Sequence, residues 1–132
     1  MKHYVTDEWY SLELMEANPH VLFVFGDNLT RKGKGGQACV REAENAVGIA
    51  TKLLPAMTED SFFESEEQAI DTITYDLAFA LEMSKRRNKP LVFPSTGLGN
   101  GLAKLDTMYP EAYEYLNDQI TKLVEQDYPV RQ

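Results

Sequence analysis

Cysteine is nearly absent, with one residue, Cys39, in 132. A lone thiol cannot close an internal disulfide, which fits a reducing compartment. Histidine is almost as scarce: His3 and His20 stand apart, with no companions at metal-ligand spacing, so no metal site is expected. Long apolar runs are missing. Stretches such as Val21–Phe25 fall far short of the roughly 20 residues that cross a bilayer. The opening Met1-Lys2-His3-Tyr4 leads into charged sequence rather than a signal-peptide core. A cytoplasmic protein with no membrane partner is the expectation. Basic residues are outnumbered, 13 Lys and Arg against 21 Asp and Glu, for a net charge of −8. Such a balance gains nothing from a phosphate backbone and argues against bulk nucleic-acid binding. Repeats, low-complexity tracts and linkers are lacking too. The chain therefore reads as one domain over 1–132, long enough to bury its own core, and 43% hydrophobic.

What is present is glycine, concentrated in two places. Seven of the eight glycines fall in two loops, each following a short apolar run. Val21-Leu22-Phe23-Val24-Phe25 empties into Gly26-Asp27-Asn28, then Gly33-Lys34-Gly35-Gly36-Gln37. Leu91-Val92-Phe93-Pro94 empties into Ser95-Thr96-Gly97-Leu98-Gly99-Asn100-Gly101. Glycine lets a ligand approach the backbone, and loops at the carboxyl ends of parallel strands are where α/β proteins bind phosphorylated ligands. The pair suggests two walls of one nucleotide-type cleft. Arg31, Lys32 and Lys34 supply local positive charge to the first loop.

The remaining pattern places the loops. Thr6 is expected to cap a helix running to about Asn18, where Pro19 stops it, with Tyr10, Leu14 and Ala17 on one face. Residues 21–25 are apolar throughout, as in a strand covered on both faces. A short helix is expected over Gly36–Glu42, a second buried strand over Ala46–Ala50, and irregular chain over Leu53–Phe63. Ser65-Glu66-Glu67-Gln68 has the form of a capping box, opening a helix that buries Ile70, Ile73, Leu77 and Ala80. It ends in Lys85-Arg86-Arg87-Asn88-Lys89, charge that suits a helix C-terminus. Residues 91–94 make a third strand. Pro110 opens a last helix with Tyr113, Leu116, Ile120 and Leu123 on its buried face. The tail from Tyr128 is expected to fray. Strands alternating with helices define an α/β chain with a mostly parallel sheet. The acidic stretch Thr58–Asp76, which has no Lys or Arg, reads as a solvated face or as a docking surface for a basic partner.

Two nucleotide motifs are excluded by spacing. Gly26 and Gly33 are seven positions apart and Gly35, not Ser or Thr, follows Lys34, so there is no Walker A loop. Gly97, Gly99 and Gly101 give G-x-G-x-G rather than G-x-G-x-x-G. Another pattern fits better. Asn28 after a buried strand, followed by a Gly-Gly step that opens a helix, resembles the first signature of the macrodomain family. Phe93-Pro94-Ser95-Thr96-Gly97-Leu98-Gly99 resembles the second, in which a strand ends in Pro and gives way to a Ser-Thr-Gly phosphate loop. The stretch Val47–Pro55, with Thr51-Lys52, resembles the strand between them. Over roughly residues 20–125 the chain is most similar to small macrodomain-like proteins, many of them encoded by bacteriophages.

That resemblance implies a three-layer α/β/α sandwich and a small-molecule nucleotide ligand of ADP-ribose character, with no separate cofactor. Ser95 to Gly101 would wrap the diphosphate, the Gly35-Gly36 loop would close over it and the distal ribose, and Asn28 would hydrogen-bond that ribose. Departures are visible: the chain is short, an acidic adenine reader in an early loop has no counterpart, and a helix stands where the family has opening strands, so a trimmed sheet is expected. Taken alone, the residues leave alternatives. Asn28 reads as a ligand contact or a turn former, and Asp27 as a general base, a ribose ligand or a turn residue. Gln37 reaches a ligand or faces solvent. Cys39 reads as an inert buried thiol. Three functions follow: binding of an ADP-ribose-related or other nucleotide-diphosphate ligand, hydrolysis of an ADP-ribosyl bond with Asn28 or Asp27 orienting water, or protein interaction through the acidic face.

Overall fold

The computed structural model describes residues 1–101 and 103–132. Five strands form one parallel sheet: β1 (His3–Thr6), β2 (Leu22–Asn28), β3 (Ala46–Lys52), β4 (Leu91–Pro94) and β5 (Val124–Asp127), in the order β3-β2-β4-β1-β5. The helices are α1 (Leu12–Ala17), α2 (Glu66–Arg87), α3 (Leu105–Met108) and α4 (Pro110–Leu123), with 3₁₀ turns at Gly36–Val40 and Glu59–Ser61.

Strand periodicity sorts the core into two layers. Leu22 and Val24 of β2, Val47 and Ile49 of β3, and Leu91 and Phe93 of β4 face α2 and α4, where Ile73, Leu77, Ala80 and Leu116 cover them. The intervening Phe23, Phe25 and Val92 face the other way, onto Leu14 and Met15 of α1 and Ala38 and Val40 of the first 3₁₀ turn. Alternate residues of one strand point to opposite faces, so the fully apolar run of β2 is what an α/β/α sandwich needs at its centre.

The long helices begin where local chemistry says they should. Ser65 Oγ accepts the Gln68 N–H at 3.0 Å, while Gln68 reaches back to the Glu64 N–H rather than to that of Ser65. Asn88 closes α2 in the left-handed conformation, φ 53°. Pro110 takes the first turn of α4, whose free amides at Glu111 and Ala112 point to the Glu66 carboxylate.

The two ends of the chain differ from expectation. Thr6 is not a helix cap. It ends β1, paired with Pro94, and Ser11 caps the shorter α1 by accepting the Leu14 N–H. Pairing with two neighbouring strands outweighs a local hydroxyl-to-amide bond there. The sheet is not trimmed at the N-terminus: β1 lies between β4 and β5. The tail does not fray either. It supplies β5, the Tyr128 N–H donates to the Val5 carbonyl, and its ring meets Tyr4 edge-on at 5.3 Å. Beyond it, Asn18 exchanges two hydrogen bonds with the backbone of Arg131.

Candidate functional site

The chain leaves β2 toward β3 on one side of the sheet and leaves β4 toward β5 on the other. Right-handed crossovers require these connections to lie on opposite faces, as the two core layers show. The carboxyl ends of β2 and β4, which pair directly at Leu22↔Leu91 and Phe23↔Val92, therefore flank the topological switch point. This is where open parallel sheets hold ligands. Both glycine-rich loops leave from these two strands.

A cavity of about 330 Å³ opens between them. Gly26, Gly33, Gly35 and Gly36 line it from the first loop, and Gly99, Asn100 and Gly101 from the second. Among the described residues, the amides of Gly33, Gly35, Gly36, Gly99 and Gly101 meet no protein acceptor. Gly33, Gly36 and Gly99 hold φ of 88°, 56° and 80°, conformations that L side chains rarely adopt. Gly99 is further confined by Leu105 and Thr51, because a Cβ there would lie 2.9 Å from Leu105 Cβ.

Gln37 faces neither solvent nor open cavity alone. Its Oε1 accepts the Gly26 N–H at 2.8 Å and its Nε2 donates to the Gly97 carbonyl at 3.3 Å, tying one glycine loop to the other. Asn28 shapes its own turn: Nδ2 donates to the Lys32 carbonyl at 2.8 Å, and Oδ1 accepts from the Thr30 amide and hydroxyl. Asp27 is buried and doubly paired. The Arg41 guanidinium lies 2.7 Å from its carboxylate, Arg31 stands at 3.4 Å, and the Asn28 N–H donates to Oδ1. Arg31 also makes a two-pronged contact with Asp76 of α2, at 2.8 and 2.9 Å. The cations of the first loop thus divide: Arg31 is spent on Asp76, Lys34 pairs with Glu42 at 3.1 Å, and Lys32 lines the cavity.

Several expected site residues lie elsewhere. Leu98 is buried in the core beneath the loop. Ser95 donates to Asp7 and Thr96 accepts from Asn100, while the Gly97 amide closes a turn on the Pro94 carbonyl. Lys34 and these four are absent from the cavity wall, which the second loop reaches only from Gly99 onward. The Ser95 hydroxyl and the Thr96 backbone carbonyl therefore brace the loop, and neither residue lines the cavity. Cys39 is half-buried, its thiol 3.5 Å from the Tyr10 carbonyl oxygen.

Other wall residues carried no glycine signal. Trp9 and Tyr10 come from the loop after β1, an element the sequence pattern concealed. Thr51, Lys52 and Pro55 come from β3 and its exit. Lys52 is buried, its ammonium 2.7 Å from the Ala56 carbonyl oxygen and 5.0 Å from the centre of the Phe62 ring. Burial and, less, the charge of Lys104 lower its pKa. Tyr10 donates its hydroxyl to the carbonyls of Val24 and Val92, and burial holds its pKa well above the usual value.

Fold and cleft together define an α/β/α sandwich with a glycine-lined cavity at its switch point. The chain belongs to a family of unknown function (DUF7831), which matches residues 5–119, from within β1 through most of α4. No curated protein and no solved structure matches it. No helix among the described residues is long and apolar enough to cross a membrane.

Proposed function

We propose that the cavity binds a nucleotide-diphosphate ligand of ADP-ribose type, gripped at its diphosphate by the backbone amides of the two glycine loops. The observation that carries this reading is the convergence of both loops on one cavity at the switch point, with the amides of Gly33, Gly35, Gly36, Gly99 and Gly101 meeting no acceptor among the described residues. Convergent amides make an anion-binding concavity without any basic side chain, which suits a chain of net charge −8. Lys32 and Lys52 on the same wall add positive charge. The resemblance of both loops to macrodomain signatures points to the same ligand class.

Binding is favoured over hydrolysis by the state of Asp27. Both oxygens of its carboxylate are already engaged, by Arg41, Arg31 and the Asn28 N–H, an arrangement that braces the loop rather than orients a water, and Asn28 is engaged in its own turn. A thermal-shift panel of ADP-ribose, NAD, AMP and inorganic pyrophosphate tests the reading. ADP-ribose at a hundredfold excess over its Kd stabilises a folded domain by about 2.7 kcal/mol. Stabilisation by none of the four would overturn it.

A further inference from the structure

We propose that Trp9 is the base platform of this site: it takes the nucleobase of the ligand by its flat face and leaves the base's edge unread. The inference rests on the diphosphate reading above and adds the other end of the ligand.

Trp9 is 93% exposed, yet it lines the cavity. It is not carried by a loose segment. Tyr10, the next residue, is buried, with its hydroxyl bonded to the Val24 carbonyl at 2.8 Å and the Val92 carbonyl at 3.2 Å, bridging the two strands of the switch point. The Tyr10 ring meets Phe23 edge-on at 5.6 Å. On the other side, the Glu8 N–H donates to Thr6 Oγ1, and Asp7 accepts from Ser95 of the second glycine loop. A large indole is thus held out to water from a backbone fixed on both sides of it.

The cavity itself, about 330 Å³, lies at the small end of ligand sites, which run from about 300 to 1,000 Å³. It suits a diphosphate and a ribose better than a whole dinucleotide-sized ligand. The remainder must project past the mouth, where Trp9 stands. Aromatic rings beside a phosphate-binding backbone hold bases by stacking, and stacking accepts any base because every base has a π face. Neither of the two acids that precede Trp9 lines the cavity: Asp7 accepts from Ser95, and Glu8 is exposed to solvent.

Trp9 is the sole tryptophan of the chain, so intrinsic tryptophan fluorescence reports this residue alone. Wild-type protein is titrated with ADP-ribose, ADP, GDP, UDP and inorganic pyrophosphate while thermal shift records binding independently. The three nucleoside diphosphates and ADP-ribose are expected to quench the emission, and pyrophosphate to stabilise the fold without quenching. Trp9→Ala should weaken ADP-ribose by roughly 5- to 150-fold and leave pyrophosphate unchanged, with Trp9→Phe restoring most of the loss. ADP-ribose that stabilises without quenching, or binds Trp9→Ala as it binds wild type, overturns the platform and leaves the diphosphate site standing. Quenching by ADP with no binding of GDP or UDP overturns the face-only reading. Stabilisation by no compound removes both readings together.

Discussion

At Gly35 a Cβ would meet no atom within 4 Å, and φ of −76° suits any L residue. At Gly99 the same Cβ would strike Leu105 and Thr51 at φ 80°. The two positions therefore separate binding from folding. Gly35→Val should leave stability within about 0.5 kcal/mol of wild type and weaken the ligand at least tenfold by occupying the cavity. Gly99→Val should destabilise the fold itself. Denaturant unfolding and calorimetry on both variants check this. Asp76 marks a second contrast. It is buried, it receives Arg31 from the first loop, and it accepts the Ala50 N–H at 2.7 Å. Removing one partner of a buried pair costs about 3–5 kcal/mol. Arg31 is 41% exposed, so solvent screens part of that. Asp76→Ala should lower the unfolding free energy by about 2 kcal/mol and weaken the ligand as well, because the glycine loop loses its tie to α2. Unchanged affinity in that variant would mean that the loop holds its shape without the ion pair. Neither Asp76 nor Arg41 was legible as part of the site. Asp76 lies far from the glycines in sequence and Arg41 just past the first glycine loop, but only packing brings Asp76 onto Arg31 and Arg41 onto Asp27.

Among the elements, β1 is held to β4 by more than its ladder. The buried His3 accepts the Leu91 N–H on Nδ1 at 2.9 Å, which a protonated imidazole cannot do. Burial and, less, the N-terminal charge lower its pKa below the usual 6.5. The unfolded chain then takes up the proton first as pH falls. The contribution of His3 is fully present above about 6.5 and is lost as pH drops through the folded pKa. Tm should therefore fall on acidification below 6.5 more steeply in wild type than in His3→Gln, and parallel profiles would contradict the assignment. The same element explains what the sequence concealed. β1 and β5 have four residues each, carry polar or charged side chains, and pair only with partners distant in the chain. β2, β3, β4 and α2 were legible because burial wrote them locally, as continuous apolar runs or as a capping box with a helical stripe. Gln37 sits between these cases: its place at a helix start was readable, but its role as a tie from Gly26 to Gly97 was not. Gln37→Ala should cost about 1 kcal/mol, the scale of one lost hydrogen bond with a part-buried amide left behind.

For the whole molecule, the sheet order fixes the site before any side chain is considered. The chain steps from β2 to one side of the sheet and from β4 to the other, so the strand order reverses between these two parallel strands, and both glycine loops hang from that point. The loops were visible in the sequence, and so was their convergence, because glycine spacing and buried strands are local signals. The division of labour within the second loop was not: Leu98 goes to the core, the Ser95 hydroxyl bonds Asp7 and the Thr96 carbonyl accepts from Asn100. The central claim is that backbone amides from the two loops grip a diphosphate. Calorimetry of ADP-ribose against AMP on the wild-type protein tests it most directly. A second phosphate held by even one charge-assisted hydrogen bond, worth about 1.5–3 kcal/mol, makes ADP-ribose roughly ten- to a hundredfold tighter. Saturable one-site binding of ADP-ribose with AMP weaker by that margin is the predicted result; equal affinities for the two would contradict a site centred on the diphosphate.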